Sequence, residues 1–122
     1  MANDFKRICT PNIGTSVGTS LAAIYTVPAG SSSSALETIV IGITLANKTS
    51  TGITASLFID NEDGSNDVYL VKDATIPAGS ALEVMSGNKL VLQNDGSNAD
   101  VLKAQCSVTN SLDATVSILE DV

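Results

Sequence analysis

The fold is indicated most directly by the stretch Thr38-Ile39-Val40-Ile41-Gly42-Ile43-Thr44-Leu45-Ala46. Bulky apolar residues occupy every second position, and a period of two is typical of a β-strand with one buried face. The alternation predicts that one face carries Ile39, Ile41, Ile43 and Leu45, while the other carries Thr38, Val40, Gly42, Thr44 and Ala46. A turn over residues 47–52 leads to a second predicted strand with the same alternation, Ile53–Ile59.

The same pattern continues in both directions from this pair. Short segments rich in Val, Ile, Leu and Thr are separated by turn residues such as Asp-Gly, and no window shows a helical period. The further predicted strands are Phe5–Cys9, Leu21–Val27, Val68–Lys72, Ala81–Met85, Lys89–Leu92, Val101–Val108 and Ala114–Leu119. We therefore predict an all-β fold, a single β-sandwich of about eight short antiparallel strands, with jelly-roll and Ig-like strand orders both open.

Length and charge limit the classes of protein that need consideration. The 122 residues fit one domain, in which we expect an N-terminal arm and first strand over residues 1–20 and the β-sandwich domain over residues 21–122. Thirteen acidic and six basic residues give a net charge of −7, which disfavours nucleic acid as a partner. The sequence shows neither a signal peptide nor an apolar run of about 18 residues, so we expect synthesis in the cytoplasm and no membrane partner.

Catalytic chemistry finds little support in the composition. The chain has no His, which removes the commonest general base and the Ser–His and Cys–His nucleophile pairs. No glycine-rich phosphate-binding motif is present, and the lysines stand singly. With two Tyr, two Phe and no Trp, a carbohydrate groove with paired carboxylates would have few aromatic rings to stack on sugars. We therefore predict that the protein is not an enzyme and has neither catalytic residues nor a cofactor.

One predicted loop is rich in carboxylates: Asp60, Glu62, Asp63 and Asp67. Calcium prefers several oxygen ligands, so a calcium site is one alternative for this loop. An EF-hand does not fit, because aligning Gly64 with its invariant glycine would place Ile59 and Leu70 at ligand positions. The interpretation that we favour is an acidic solvated turn, with no metal ligands.

Two cysteines, Cys9 and Cys106, are too few for a disulfide framework. Cys106 shares a predicted strand face with Leu102, Ala104 and Val108, which is typical of a small buried hydrophobic residue. A bridge between the two cysteines would join the first strand to a late one, and this pairing is left open.

Five segments, in sequence order, carry a resemblance to known proteins: Met1-Ala2-Asn3-Asp4-Phe5-Lys6-Arg7, Ile24-Tyr25-Thr26-Val27-Pro28-Ala29-Gly30, Val40-Ile41-Gly42-Ile43-Thr44-Leu45-Ala46-Asn47, Ile76-Pro77-Ala78-Gly79-Ser80 and Ser117-Ile118-Leu119-Glu120. Together they resemble small virion structural proteins of tailed bacteriophages, especially marine myovirus-like ones. The resemblance implies a β-sandwich module carried on the particle, without an enzymatic role. Its partners would be other virion proteins, namely the major capsid protein or tail and collar proteins.

Within this family the function that we expect is decoration or stabilisation of the capsid surface, by a monomer or a homo-oligomer such as a trimer. The localisation would be the virion, after assembly in the host cytoplasm. The alternatives are a tail, collar or fibre accessory protein and a glycan- or cell-surface-binding module. A calcium-assisted hydrolase and an Ig-like domain of a bacterial surface are two further hypotheses.

The candidate docking arm is the segment Met1–Thr10, where Lys6 and Arg7 form the only adjacent basic pair. Its predicted docking residues are Phe5, Lys6, Arg7 and Ile8. The segment either adds a strand to the sheet of a partner by β-augmentation or forms an edge strand of its own domain, and both alternatives are open. Phe5 and Tyr25 are predicted to be core or interface residues.

Overall fold

The computed structural model describes residues 3–15, 23–30, 32, 35–60, 67–84 and 89–121. Most of these residues lie in nine β-strands, and no α-helix occurs among them. The strands are β1 (Asn3–Ile13), β2 (Ala23–Thr26), β3 (Leu36–Asn47), β4 (Ile53–Asp60), β5 (Asp67–Ile76), β6 (Ala81–Glu83), β7 (Leu90–Asn94), β8 (Val101–Cys106) and β9 (Leu112–Asp121). The all-β class that the alternation predicted is confirmed.

The strands form two antiparallel sheets. The five-stranded sheet has the order β1-β9-β3, and both β6 and β7 pair with the other edge of β3. The four-stranded sheet has the order β2-β8-β4-β5. One hydrophobic cluster contains residues from both sheets, so the sheets pack face to face as a sandwich.

The strand order decides between the two sandwich topologies. The pairs β1·β9, β2·β8, β3·β6, β3·β7 and β4·β5 are those of one long hairpin, and the pairs β3·β9 and β4·β8 arise when that hairpin is rolled up. This is the jelly-roll order. An Ig-like sandwich instead places several consecutive strands side by side, whereas among the strands defined above only β4 and β5 are consecutive neighbours.

Strand β3, whose sequence shows the clearest alternation, contains an irregularity. Its pairing with β9 shifts register between Val40 and Gly42, which is the signature of a β-bulge. Before the bulge Val40 is fully buried, and Ile41 is 39% exposed. Beyond the bulge the buried residue is Ile43, so the buried positions change from even-numbered to odd-numbered residues. The predicted common face is therefore wrong for Ile39 and Ile41, because the bulge reverses which alternate residues face the core.

The core between the sheets consists of aliphatic side chains withdrawn from water. The five-stranded sheet and the four-stranded sheet both contribute fully buried residues, among them Val40, Leu45, Val116, Ile118, Leu57, Leu102 and Ala104. Burial of each large aliphatic side chain contributes about 1.5–3 kcal/mol, so this shared core holds the two sheets together.

The first strand falls within the predicted N-terminal arm. It pairs with β9 from Asn3 to Ile13 and lies at the edge of the five-stranded sheet of its own domain. Pro11 and a register shift between Thr10 and Ile13 interrupt the strand near its end. Residues 1, 2 and 16–20 of the predicted arm lie outside the described residues.

Candidate functional site

The four predicted docking residues are divided between the two faces of β1. Alternate residues of a strand face opposite sides, and here Lys6 and Ile8 face the sandwich interior. Lys6 Nζ donates to Glu120, and Ile8 packs against the core. Phe5, which is 78% exposed, and Arg7 face outward. Of the two roles predicted for Phe5, a core role is therefore wrong, and the docking role of the four residues stays a prediction.

Phe5 begins a row of apolar residues across the outer face of the five-stranded sheet. It pairs in register with Leu119 on β9, Leu119 pairs with Ile39 on β3, and Ile39 pairs with Val91 on β7. Val91 is 53% exposed, and Leu119 and Ile39 are half-buried. At the usual spacing of neighbouring strands these four residues span about 15 Å. We call Phe5, Leu119, Ile39 and Val91 the apolar row.

Sequence reasoning missed three members of the apolar row. The alternation groups Ile39 with Ile43 and Leu45, which are buried, because it carries no signal for the bulge in β3. Leu119 shares its strand face with Thr115 and Ser117, and Val91 shares its face with Lys89 and Gln93, so the local alternation is consistent with the outward position of both residues but does not show that they are neighbours. The row exists only through pairing between strands that are far apart in the sequence.

The inward face of the same sheet carries a polar network centred on Glu120. This carboxylate, only 6% exposed, accepts a hydrogen bond of 2.7 Å from Lys6 Nζ at Oε1. Its Oε2 accepts a hydrogen bond of 2.5 Å from the Tyr25 hydroxyl, which also lies 2.9 Å from Thr38 Oγ1. The four side chains come from β9, β1, β2 and β3, so the network joins the two sheets as well as the edge strand.

The protonation states in this network follow from its contacts. Desolvation opposes the charge on Glu120, but hydrogen bonds from Lys6 and Tyr25 and the lysine charge outweigh it and lower the pKa of Glu120. Burial, and then the bond to Glu120, raise the pKa of Tyr25. The bond to Glu120 and its charge raise the pKa of Lys6. Both carboxylate oxygens therefore bind donors, and the arrangement is suited to anchoring β1 and β2.

The sequence carries a weak signal for this network, the acidic residue Glu120, which continues the face of the predicted last strand that otherwise carries apolar residues. Glu120 follows Val116-Ser117-Ile118-Leu119 on β9, and Lys6 on β1 comes near it only through the pairing of these two strands in the folded chain. Thr38 and Glu120 lie directly opposite each other on β3 and β9. Tyr25, predicted to be a core or interface residue, is half-buried and packs against the core.

The network predicts a specific dependence of stability on pH. The pKa of Glu120 is lowered on folding, so its contribution is complete above its ordinary value of 4.5 and is lost as pH falls through the lower folded value. The pKa values of Tyr25 and Lys6 are raised, so their contributions are lost as pH rises above their ordinary values of 10.0 and 10.5. We expect the Glu120→Gln variant to have a lower unfolding free energy than the wild type at neutral pH. On acidification, its unfolding free energy should fall by less than that of the wild type.

Urea unfolding of the wild type and Glu120→Gln at about pH 7 and about pH 3 measures this difference, since the remaining carboxylates are common to both proteins. If acidification lowered the unfolding free energy of the two proteins equally, the pKa of Glu120 would not differ between the folded and unfolded states.

The two cysteines are not bonded to each other. Cys106 is buried, as predicted, and its Sγ lies 3.1 Å from Ser111 Oγ, whereas Cys9 is exposed. The predicted strand Val101–Val108 ends at Cys106, so Val108 does not share its face and is 41% exposed. A shallow groove of about 200 Å³ beside Cys9 is lined by Thr10, Pro11, Asp113, Ala114 and Thr115. This volume is below that of ordinary ligand pockets.

The predicted acidic loop lies mostly outside the described residues, since only Asp60 and Asp67 at its ends are described. Asp60 Oδ2 accepts a hydrogen bond of 2.9 Å from Lys103 Nζ. Among the described residues, no group of three or more His, Cys, Asp or Glu side chains is arranged to hold a metal ion. The described part of the chain also contains no helix long and apolar enough to span a membrane.

Comparison of the chain with protein families, with curated proteins and with solved structures gives no match.

Proposed function

We propose that the chain is a non-enzymatic structural protein of a tailed-phage virion that decorates or stabilises the capsid surface. The observation that carries the proposal is the apolar row on the outer face of the five-stranded sheet. The resemblance of five segments to small virion proteins supplies the kind of assembly in which such a surface would be buried. The partner would be another protein of the particle.

The apolar row has the properties of a contact surface. Isolated exposed apolar residues are ordinary, but Phe5, Leu119, Ile39 and Val91 are neighbours across four strands. Exposed polar residues flank the row on both sides, Arg7 and Ser117 on one and Glu37 and Gln93 on the other. Ile41 on β3, which is 39% exposed, is an apolar exception beside the row. A contiguous apolar patch with a polar rim is typical of a protein–protein interaction site. Burial of such a patch stabilises an assembly by about 25 cal/mol per Å² of apolar surface.

The paired charges of the domain support a structural role. The carboxylates of Glu120, Asp60 and Asp113 each bind a lysine ammonium group at 2.7–3.0 Å. These contacts link strands or connections within the domain; the Lys48–Asp113 pair is exposed and contributes little to stability, whereas Glu120 and Lys103 are largely buried. A stable module of this kind with a net charge of −7 can stay soluble until it docks.

The proposal predicts that the protein is a component of purified particles of the phage that encodes it. Quantitative mass spectrometry gives its copy number relative to the major capsid protein. A ratio near one, or a simple fraction of one, is expected for a protein of the head lattice. A handful to a few dozen copies would indicate the tail, collar or fibres instead, and absence from clean particles would refute the virion assignment.

Two matched variants make this experiment specific to the apolar row. Val91→Asp places a charge in the row, whereas Val68→Asp places the same charge at a valine of similar exposure, 47%, on β5 of the other sheet. Particles that carry Val91→Asp are expected to retain much less of the protein than particles that carry Val68→Asp. Equal retention would show that the row is not the contact surface.

A glycan- or cell-surface-binding module is the second candidate, and Tyr69 is the observation that favours it. Its side chain is 43% exposed, its ring centroid lies 5.2 Å from that of Phe58, and Lys72 Nζ lies 5.2 Å from the Tyr69 centroid. An exposed aromatic side chain with a polar hydroxyl can contribute both stacking and hydrogen bonding to a ligand. Absence from particles together with Tyr69-dependent binding to host-cell glycans would favour this candidate.

A further inference from the structure

We propose that two copies of this chain associate through their β1 strands, in the register that places Phe5 opposite Phe5 of the second copy. The two five-stranded sheets would then continue into one another across a two-fold axis. This inference goes beyond the virion assignment, because it depends on β1 and the outer face of its sheet alone.

The edge of β1 offers backbone groups for pairing over part of its length. Its one pairing partner among the described strands is β9, so its other edge faces away from the sheet. Pro11 lacks an N–H donor, and the register shift between Thr10 and Ile13 interrupts pairing at that end. The usable edge is therefore Asn3–Thr10.

Symmetry restricts the registers that two copies can adopt. Antiparallel strands that extend a sheet are related by a two-fold axis perpendicular to it, and opposed residues must lie on the same face. The strands are then centred on a residue that meets its own copy. Centring on Lys6 or Arg7 opposes like charges, and centring on Asp4 does the same and shortens the overlap. Centring on Ile8 brings Phe5 opposite Pro11, and centring on Cys9 brings Arg7 opposite Pro11 and leaves an overlap of Ile8–Thr10 alone.

Centring on Phe5 is the register that satisfies the charges. It places Asp4 of each copy opposite Lys6 of the other, on the inward face, and brings the two Phe5 rings together on the outward face. Lys6 Nζ has three N–H donors, so it can donate to Glu120 at 2.7 Å and also donate to a second carboxylate. An inward-pointing charge normally protects an edge strand from indiscriminate pairing, and here it selects one register.

The same register aligns the apolar rows of the two copies. Because Phe5 of one copy lies beside Phe5 of the other, Leu119, Ile39 and Val91 continue the line on both sides. The dimer would therefore present one row of twice the length, on one face. Such a surface is complementary to a partner that is itself two-fold symmetric or repetitive.

Disulfide trapping tests the register directly. In a Cys9→Ser background, Phe5→Cys places two thiols on opposed residues, whose Cα atoms lie about 4.5–5.5 Å apart in antiparallel pairing and can form a disulfide. In the same register, cysteines at position 7 lie about 14 Å apart along the strands, and native Cys9 residues lie about 27 Å apart. Under mild oxidation we expect Phe5→Cys to form a covalent dimer at least about tenfold faster than Arg7→Cys or the wild type.

Sedimentation of reduced protein tests the charge pairing without a cross-link. Asp4→Lys opposes lysines to Lys6 and is expected to weaken dimerisation by about tenfold or more. Glu37→Lys makes the same change of net charge at an exposed site of the same sheet and is expected not to weaken it. The inference would be overturned if the two substitutions had equal effects, or if Arg7→Cys formed a covalent dimer as fast as Phe5→Cys. It would also be overturned if the wild type sedimented as a monomer and Phe5→Cys formed no covalent dimer. None of these outcomes depends on whether the protein is found in particles.

Discussion

Val40→Asp is expected to unfold the domain, whereas Ile41→Asp, one residue further along β3, is expected to leave it folded. Val40 is fully buried and pairs in register with Ile118 and Leu90, while Ile41 is 39% exposed. A carboxylate buried without a partner costs several kcal/mol, and a domain of this size has only about 5–15 kcal/mol of stability. Far-ultraviolet circular dichroism and urea unfolding of the two variants measure the difference.

A milder pair provides the control for variants that do not fold at all. Val40→Ala is expected to lower the unfolding free energy by about 1.5–3 kcal/mol, and Ile41→Ala by less than half as much, because only the first leaves a buried cavity. If the substitutions at position 41 were the more damaging ones, β3 would alternate without a bulge. The apolar row would then be incorrect too, since Ile39 reaches the outer face because of the bulge.

Glu120→Ala is expected to lower the unfolding free energy by about 2–3 kcal/mol, because hydrogen bonds to a charged group contribute about 1.5–3 kcal/mol and the Tyr25 hydroxyl loses its acceptor. The Lys6 ammonium is half-exposed and can be solvated, so it adds less. Glu37→Ala removes an exposed carboxylate from the same sheet and is expected to change stability by no more than about 0.5 kcal/mol. Urea unfolding at neutral pH compares the two variants.

A double-mutant cycle with Tyr25→Phe isolates the bond between the sheets. Tyr25→Phe keeps the ring and removes only the hydroxyl, so its cost should be much smaller in the Glu120→Ala background than in the wild type. Additive costs would mean that the hydroxyl and the carboxylate act independently. If Glu120→Ala and Glu37→Ala had similar stabilities, the Glu120 network would not be what anchors β1 and β2.

The class of fold could be predicted because each strand carries its own local signal. The strand predicted over Ile53–Ile59 corresponds to β4, Ile53–Asp60, and the alternation of apolar residues also located the other eight. Strand ends were less well predicted, as the end of β8 at Cys106 illustrates. A period of two shows that a segment has two unlike faces, but it does not show which other strand lies beside it.

The candidate surface could be predicted only in part. The segment around Phe5 was selected for its basic pair, yet Lys6 binds Glu120 inside the domain and Ile8 packs on the core. The residues that accompany Phe5 on the outer face come from β9, β3 and β7, which no property of residues 5–8 specifies. The Glu120 network likewise required four strands to be assembled before its members could meet.

The sequence by itself determined that this protein is an acidic all-β domain built from amphipathic strands, because composition and local periodicity act within each segment. Only the tertiary structure decided the jelly-roll order, the bulge that exposes Ile41, the apolar row and the burial of Glu120. The physical reason is that register is set between strands distant in sequence. A shift of one residue exchanges the two faces of a strand, so local alternation leaves open which residues meet.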